Sequence, residues 1–321
     1  MYPDKLKGKK ILVAGGAGLL GIHLMRRLAE MDLNAKASYF KRLPPKELQA
    51  HYQHFDFTRF DHCLKATRDQ DCVIVCAVQA SGVKGMKESP TASILPNLAL
   101  HAGLFEACSQ NGVRQVVWIS SSTAYQEASY PIREDQLDLN QPPFALYQGV
   151  GWVYRYLEAL ARCYYDKNRL PISVLRTTNI YGPFDHFDDD KSHVIPALIK
   201  RAVEKQTPYV VWGNGHTIRD FIYVEDLVEA VLRVLSQPFI PDPLNFSYGK
   251  PVSIAEVVGL ILKHTVHHTI PIFDETKPTA VPYRVLDNTR FDTLFGGIDR
   301  TSPSEGIRKT IDWYHSGYYR E

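Results

Sequence analysis

An α/β fold, a doubly wound parallel sheet with a smaller C-terminal α/β lobe, is what this sequence predicts. Three observations carry that expectation: β-branched runs alternate with helical spacing through the first half, a glycine-rich turn directly follows the first run, and the pattern becomes irregular near Asn179. With 321 residues, 45% hydrophobic and 22% charged, the chain has enough apolar content for a full core.

Strands are expected at Lys10–Ala14, Ala35–Phe40, Cys72–Ala77, Gln115–Ser120 and Ile172–Arg176, each a short apolar or β-branched run. Leu20–Met31, Leu98–Gln110 and Gln148–Tyr165 repeat apolar residues at helical spacing and should cover the sheet. Further on, Val194–Glu204 and Glu225–Ser236 are helical by the same test, Ser253-Ile-Ala-Glu256 is a capping box, and Pro303–Tyr314 is a final helix opening on proline. The expected division is a Rossmann-type dinucleotide-binding domain over residues 1–178, completed by a segment near 205–250, with 179–321 mainly a substrate lobe.

Lys and Arg total 37 against 35 Asp and Glu, and the net charge of +2 is scattered, so no nucleic-acid partner is expected. No signal region or membrane-length apolar run is present, which predicts a cytoplasmic protein with no membrane partner. The cysteines, Cys63, Cys72, Cys76, Cys108 and Cys163, form no C-x-x-C and are expected to be buried reduced thiols. Asn245-Phe-Ser247 matches a glycosylation acceptor, without consequence in a cytosolic chain.

Gly15-Gly16-Ala17-Gly18-Leu19-Leu20-Gly21 lies between the first strand and the first helix. Glycines there permit a tight turn and close approach to a pyrophosphate, which sits at the helix N-terminus on free N–H groups. Gly15, Gly18, Leu19, Leu20 and Gly21 are therefore cofactor-binding candidates. The second strand ends in Ser38-Tyr39-Phe40-Lys41-Arg42, with no acid to take a ribose 2′-OH and two cations suited to a 2′-phosphate. NADP(H) is expected, with NAD(H) the alternative if Lys41 and Arg42 are simply a solvated loop.

The glycine turn, Asp56-Phe57-Thr58, Asn97, Ser120-Ser-Ser-Thr-Ala-Tyr125, Tyr147 and Arg176-Thr-Thr-Asn179-Ile-Tyr-Gly-Pro183 together resemble the extended short-chain dehydrogenase/reductase family. Asn179-Ile-Tyr-Gly-Pro-Phe-Asp185-His-Phe187, Ser192-His193-Val-Ile-Pro-Ala-Leu-Ile-Lys-Arg201 and Val211-Trp-Gly-Asn-Gly-His-Thr-Ile-Arg219 resemble its GDP-L-fucose synthase branch, NADPH-dependent epimerase/reductases of a GDP-4-keto-6-deoxy sugar. The resemblance implies further cofactor contacts at Asp56, Phe57, Ala77, Asn97, Tyr147 and Asn179. It implies substrate contacts at Ser122, Asn179, Val194, Lys200, Arg201, Trp212 and Arg219, the last on the diphosphate, and catalytic roles for Tyr147, Ser121, Thr123 and His193. It also implies a homodimer formed through Leu98–Gln110 and Gln148–Tyr165. No metal is expected: Asp185-His186-Phe187-Asp188-Asp189-Asp190-Lys191-Ser192-His193 fits neither an EF-hand nor a zinc spacing, and its acids should face water.

One position departs from the family pattern. The resemblance implies a lysine four residues after the tyrosine, where it lowers the phenol pKa from about 10 and holds the nicotinamide ribose. This chain has Gly151 there. Arg155 lies about 12 Å along a helix axis and should be an ordinary exposed arginine. Gly149 and Gly151 cost helix stability, about 1 kcal/mol each against alanine, so something other than propensity must explain them.

The loss is unequal in the two directions. A neutral phenol still donates a proton to an alkoxide, whereas oxidation wants the phenolate. Ser122 and Thr123 stand where the family's dehydratases carry acids, and Thr123 where the branch carries a proton-exchanging cysteine; neither hydroxyl ionises near neutrality. Ser121 would hydrogen-bond the substrate carbonyl. The expected activity is NADPH-dependent reduction of a 4-keto nucleotide-diphosphate deoxysugar, GDP-linked, with or without C3/C5 epimerisation. The alternatives are an epimerase holding NAD tightly and a non-catalytic nucleotide-sugar or dinucleotide-binding protein.

Overall fold

The computed structural model describes residues 2–80, 82–187, 192–277 and 279–317. The first half runs β1 (Ile11–Ala14), α1 (Leu19–Glu30), β2 (Ala35–Tyr39), β3 (Tyr52–His54), α2 (Phe60–Thr67), β4 (Cys72–Val75), α3 (Val83–Glu88), α4 (Ile94–Gln110), β5 (Gln115–Ser121), α5 (Gln148–Asn168) and β6 (Ile172–Thr177). The second half runs β7 (Asn179–Tyr181), α6 (Val194–Val203), β8 (Val210–Trp212), β9 (Ile218–Arg219), β10 (Phe221–Tyr223), α7 (Val224–Leu235), β11 (Leu244–Asn245), β12 (Val252–Ser253), α8 (Ile254–Thr265), β13 (Ile272–Asp274), α9 (Thr289–Phe295) and α10 (Pro303–His315).

Seven strands form one parallel sheet in the order β11-β6-β5-β4-β1-β2-β3. Every residue of β1 and β4 is buried, as a parallel sheet covered on both faces requires, and that burial is why these strands read as unbroken apolar runs. Leu20, Leu24 and Leu28 of α1 pack with Leu227, Val231 and Leu235 of α7 in one core layer; Phe105, Trp118, Tyr154 and Leu157 build the other. Strand order reverses between β1 and β4, and a crevice at such a switch point is where open α/β sheets bind ligands. A third core, with Ile195 and Ile199 of α6, Val257 and Ile261 of α8 and Ile307 and Ile311 of α10, holds the lobe together.

The expected strands and major helices form within a few residues of their anticipated ends. Helix α4 starts earlier, at Ile94, because Pro96 falls in the first turn, where its missing N–H has no intrahelical partner to lose. The capping box closes: Ser253 Oγ accepts from Glu256 N at 3.1 Å and Ser253 N donates to Glu256 Oε2 at 2.7 Å. Two of the cysteines depart from the expected burial: Cys163 is exposed and Cys76 half-buried. Asn245 is wholly buried in β11, accepting from Tyr125 Oη at 2.8 Å and donating to Ile132 O at 2.9 Å. Among the described residues no helix is long and apolar enough to cross a membrane.

Candidate functional site

The glycine turn is closed by packing everywhere except at its mouth. A Cβ at Gly15, which has φ +93°, would lie 2.5 Å from the Ala77 backbone; one at Gly16 would strike the Ala37 side chain, and one at Gly21 the Gly15 carbonyl. Gly18 is different, with only Gly15 O at 3.3 Å, and as N-cap of α1 it offers no side-chain cap. The first-turn N–H groups of Leu19 and Leu20 therefore remain available to an anion, and the cradle fits a pyrophosphate. Ser38 Oγ accepts from Gly15 N at 2.9 Å and Tyr52 Oη donates to Gly16 O at 3.0 Å, so β2 and β3 brace the turn from below.

Around it, the other cofactor candidates fall into two groups. Lys41 lies exposed beside the Phe40 ring, and Asn179 is exposed at the start of β7. The rest are engaged: Arg42 donates to Phe184 O at 2.9 Å, Asp56 Oδ1 accepts from Thr58 N at 3.0 Å, and Phe57 is buried. Asn97 is buried, with Oδ1 accepting from Gln79 N at 2.9 Å and Nδ2 donating to Gln79 O at 3.1 Å and Ser93 O at 2.8 Å. Its amide holds the chain after β4 in place beside the turn.

Ser121 ends β5, and Ser122 and Thr123 follow in a single 3-10 turn. Ser121 Oγ accepts from Thr123 N at 3.2 Å and from Thr123 Oγ1 at 3.0 Å. Both acceptor positions of that hydroxyl are thus taken, leaving its proton to donate. Ser122 is buried, and Tyr147, half-buried, is the N-cap of α5. Among the described residues no hydrogen bond joins Tyr147 to Ser121. Burial pushes the phenol of Tyr147 above its ordinary value, and the Arg219 and Arg284 cations and the Val281 backbone pull it back; the net direction is upward, so it is protonated at neutral pH.

Gly151 is fully packed. A Cβ there would sit 2.5 Å from Thr123 O and 2.6 Å from Pro143 Cβ, so the first turn of α5 rides directly on the turn that carries Ser122 and Thr123. Arg155, expected at the surface, is buried, with Nε donating to Ala124 O at 2.6 Å and Nη1 to Gln141 O at 2.6 Å. The same close packing of α5 draws this arginine under the 3-10 turn, where it acts as a clamp.

The cations near Tyr147 come from elsewhere. An isolated parallel bridge pairs Ile218 with Tyr283, which sets Arg219 and Arg284 abreast at the next position of each strand. Both are buried, at 7% and 4% exposure, and neither forms an ion pair among the described residues. Arg284 donates to Gln126 O at 3.0 Å and Tyr125 O at 3.3 Å, while its Nε is buried without a partner among the described residues. Burial and the neighbouring Arg219 push Arg284 down to about 10, still cationic at neutral pH. Arg284 escaped sequence reasoning because no motif surrounds it; only the pairing with β9 gives it a site.

In the lobe, His193 is the N-cap of α6, and its Nδ1 lies 3.5 Å from Asp185 Oδ1. Asp185 is buried, contrary to the expectation that the acids of this run face water; Asp188, Asp189, Asp190 and Lys191 lie outside the described residues. Val194 and Lys200 are half-buried on α6, Arg201 donates to Val210 O at 2.8 Å, and Trp212 on β8 presents an exposed indole. Among the described residues no cluster of three or more His, Cys, Asp or Glu could hold a metal ion.

A family model for the NAD dependent epimerase/dehydratase family matches residues 11–246. The chain belongs to that family. It is 28% identical over 320 residues to GDP-L-fucose synthase of Sinorhizobium fredii, covering 97% of each chain, and 26% identical over 328 residues to dTDP-4-dehydro-6-deoxy-D-allose reductase of a Streptomyces species, covering 98% of each. Among solved structures it is similar to a GDP-L-fucose synthetase from Naegleria fowleri bound to NADP, at 22% identity and TM-score 0.83, covering 98% of this chain and 94% of that one. Membership in the NAD dependent epimerase/dehydratase family supports a nicotinamide dinucleotide cofactor, and the relatives' names are those of enzymes of nucleotide-linked sugars.

Proposed function

We propose that this chain is a cytosolic reductase that uses NADPH to reduce a 4-keto nucleotide-diphosphate deoxysugar, GDP-linked, with or without epimerisation at C3 and C5. The observation that carries the reading is a half-buried Tyr147 whose phenol burial pushes upward, within electrostatic reach of the two buried arginines Arg219 and Arg284. Ser121, with both acceptor positions filled by Thr123, is left with its proton to donate.

NADPH, when bound, would supply the hydride; the Gly15–Gly21 cradle would hold its pyrophosphate, and Lys41 and Arg42 would take its 2′-phosphate. Ser121 donates its hydroxyl proton to the substrate carbonyl oxygen and orients it. Tyr147 gives its phenolic proton to the oxygen as negative charge develops there, and the adjacent guanidinium groups stabilise the phenolate left behind. Arg219 also offers the fork suited to a diphosphate, with Trp212, Lys200 and Arg201 toward the nucleotide end. The exposed Leu95, Trp152 and Tyr156 on α4 and α5 support a homodimer through those helices.

The test is NADPH consumption with GDP-4-keto-6-deoxymannose. Turnover is expected, with a clear preference over NADH and a loss of roughly 100-fold or more in kcat for Tyr147→Phe. Tight binding of both ligands without turnover would make the chain a non-catalytic binder. NAD retained through purification with no net NADPH consumption would make it an epimerase.

A further inference from the structure

Asp185 is anchored by everything around it. The two residues before it are tied to the dinucleotide half: His23 on α1 lies with Nε2 3.0 Å from Pro183 O, and the guanidinium of Arg26 stacks 4.4 Å from the Phe184 ring. Phe184 has φ +67°, a backbone conformation a phenylalanine adopts only when its surroundings impose it. The bend turns the Asp185 carboxylate inward, its side chain 1% exposed. Oδ1 accepts from His186 N at 2.7 Å, and Oδ2 is buried with no hydrogen-bond partner among the described residues.

A buried carboxylate with one unsatisfied oxygen is costly as an anion unless a cation stands beside it. His193 is the group that does. Its Nδ1 faces Asp185 Oδ1 at 3.5 Å while its side chain is 51% exposed, so one ring nitrogen is held by the interior and the other is presented outward. Two effects oppose each other at this imidazole. The N-terminal end of α6 and partial desolvation disfavour a positive charge, and the carboxylate favours it. The carboxylate wins: the 3.5 Å contact with Asp185 outweighs desolvation, and the net direction is upward. Among the described residues Asp185 is the only charged group that acts on His193.

We infer that Asp185 is a positioning residue for proton transfer by His193: it fixes Nδ1 in the interior, holds one ring orientation, and leaves Nε2 as the atom that exchanges a proton with substrate. This rests on the reductase reading above and deepens it. In the step concerned, neutral Nε2 takes a proton from a carbon beside the ketone. The C–H bond pair becomes the enolate, whose oxygen receives the Ser121 hydroxyl, and the imidazolium then stands next to the Asp185 carboxylate. Returning the proton from Nε2 restores the ketone, so atoms and charge balance without an oxidant or reductant.

The pair is tested first without substrate, by following the His193 ring C–H resonance against pH, with His193→Gln identifying the signal. In the intact protein His193 should titrate above the ordinary histidine value of about 6.5, and Asp185→Asn should make it roughly tenfold more acidic. A wild-type titration at or below the ordinary value, or one unmoved by Asp185→Asn, overturns the inference. The first of these does not depend on Asp185→Asn folding. A second readout is deuterium uptake from D2O into GDP-4-keto-6-deoxymannose without cofactor. Uptake by wild type should slow about tenfold in Asp185→Asn with its pH dependence displaced to lower pH, and an unchanged rate and profile overturns the positioning role. If wild type neither consumes NADPH nor exchanges deuterium, the reductase reading fails while the titration still decides the pair.

Discussion

Gly151 is the residue at which local cost and packing pull in opposite directions. Replacing a helical glycine with alanine gains about 1 kcal/mol from backbone entropy alone. At Gly151 the new Cβ would meet a backbone carbonyl at 2.5 Å and a proline ring at 2.6 Å, neither able to yield without moving α5 or the 3-10 turn. Overpacking of that kind costs about 1–3 kcal/mol, and with a backbone carbonyl and a proline ring both under 3 Å the cost falls at the upper end, so packing wins and Gly151→Ala should lose a net of up to ~2 kcal/mol, read as a lower urea midpoint. Gly259 on α8 is the internal control: a Cβ there meets nothing within 4 Å, and Gly259→Ala should raise stability by about 1 kcal/mol. Equal effects at both positions would refute the packing account. By the same geometry Gly151→Lys should disturb the Ser121 turn and not raise activity.

At the level of elements, legibility follows how burial is arranged. Strands β1, β4, β5 and β6 are covered on both faces and declare themselves as apolar runs, whereas β7 to β13 are two or three residues long and, apart from β11 at the edge of the main sheet, pair in small two-stranded sheets, so they leave no periodicity to read. The glycine cradle was legible because its chemistry is local, strand to turn to helix. Arg284 and the buried state of Asp185 were not, since each depends on a pairing between distant segments. The element pair α5 and β6 makes the point with a number. Arg176 donates to Glu158 from Nη2 (2.7 Å to Oε2) and from Nε (3.0 Å to Oε1), both side chains are nearly inaccessible, and Ser120 Oγ donates to the same carboxylate at 2.6 Å. Breaking such a pair strands a buried charge, so Glu158→Gln should cost about 3–5 kcal/mol by chemical denaturation. A change below 1 kcal/mol would show that the pair tolerates neutralisation.

On the scale of the whole molecule, His23 joins the two halves, because it belongs to the cofactor-side helix α1 and bonds the Pro183 carbonyl that leads into the Asp185 bend. Burial pushes its imidazole down to about 4, with the nearby Arg26 adding to the fall and the Pro183 bond opposing it. The unfolded chain takes up this proton near pH 6.5 and the folded chain only near 4, so between those values the unfolded state holds more protons. The contribution is therefore complete above pH 6.5 and disappears as pH falls toward 4, for a total of ~3 kcal/mol. His101, also pushed down to about 4, adds in the same direction, while Asp220, pushed up to about 6, works against both. The absolute pH profile mixes these, but the difference between wild type and His23→Gln isolates one of them. Gln keeps an N–H donor for Pro183 O and has no proton to gain. The variant's stability should fall less steeply on acidification, by one proton's worth between pH 6.5 and 4, with the two curves parallel above 6.5. Parallel curves throughout would mean that His23 is protonated in the folded chain and that the junction between the halves is open to water.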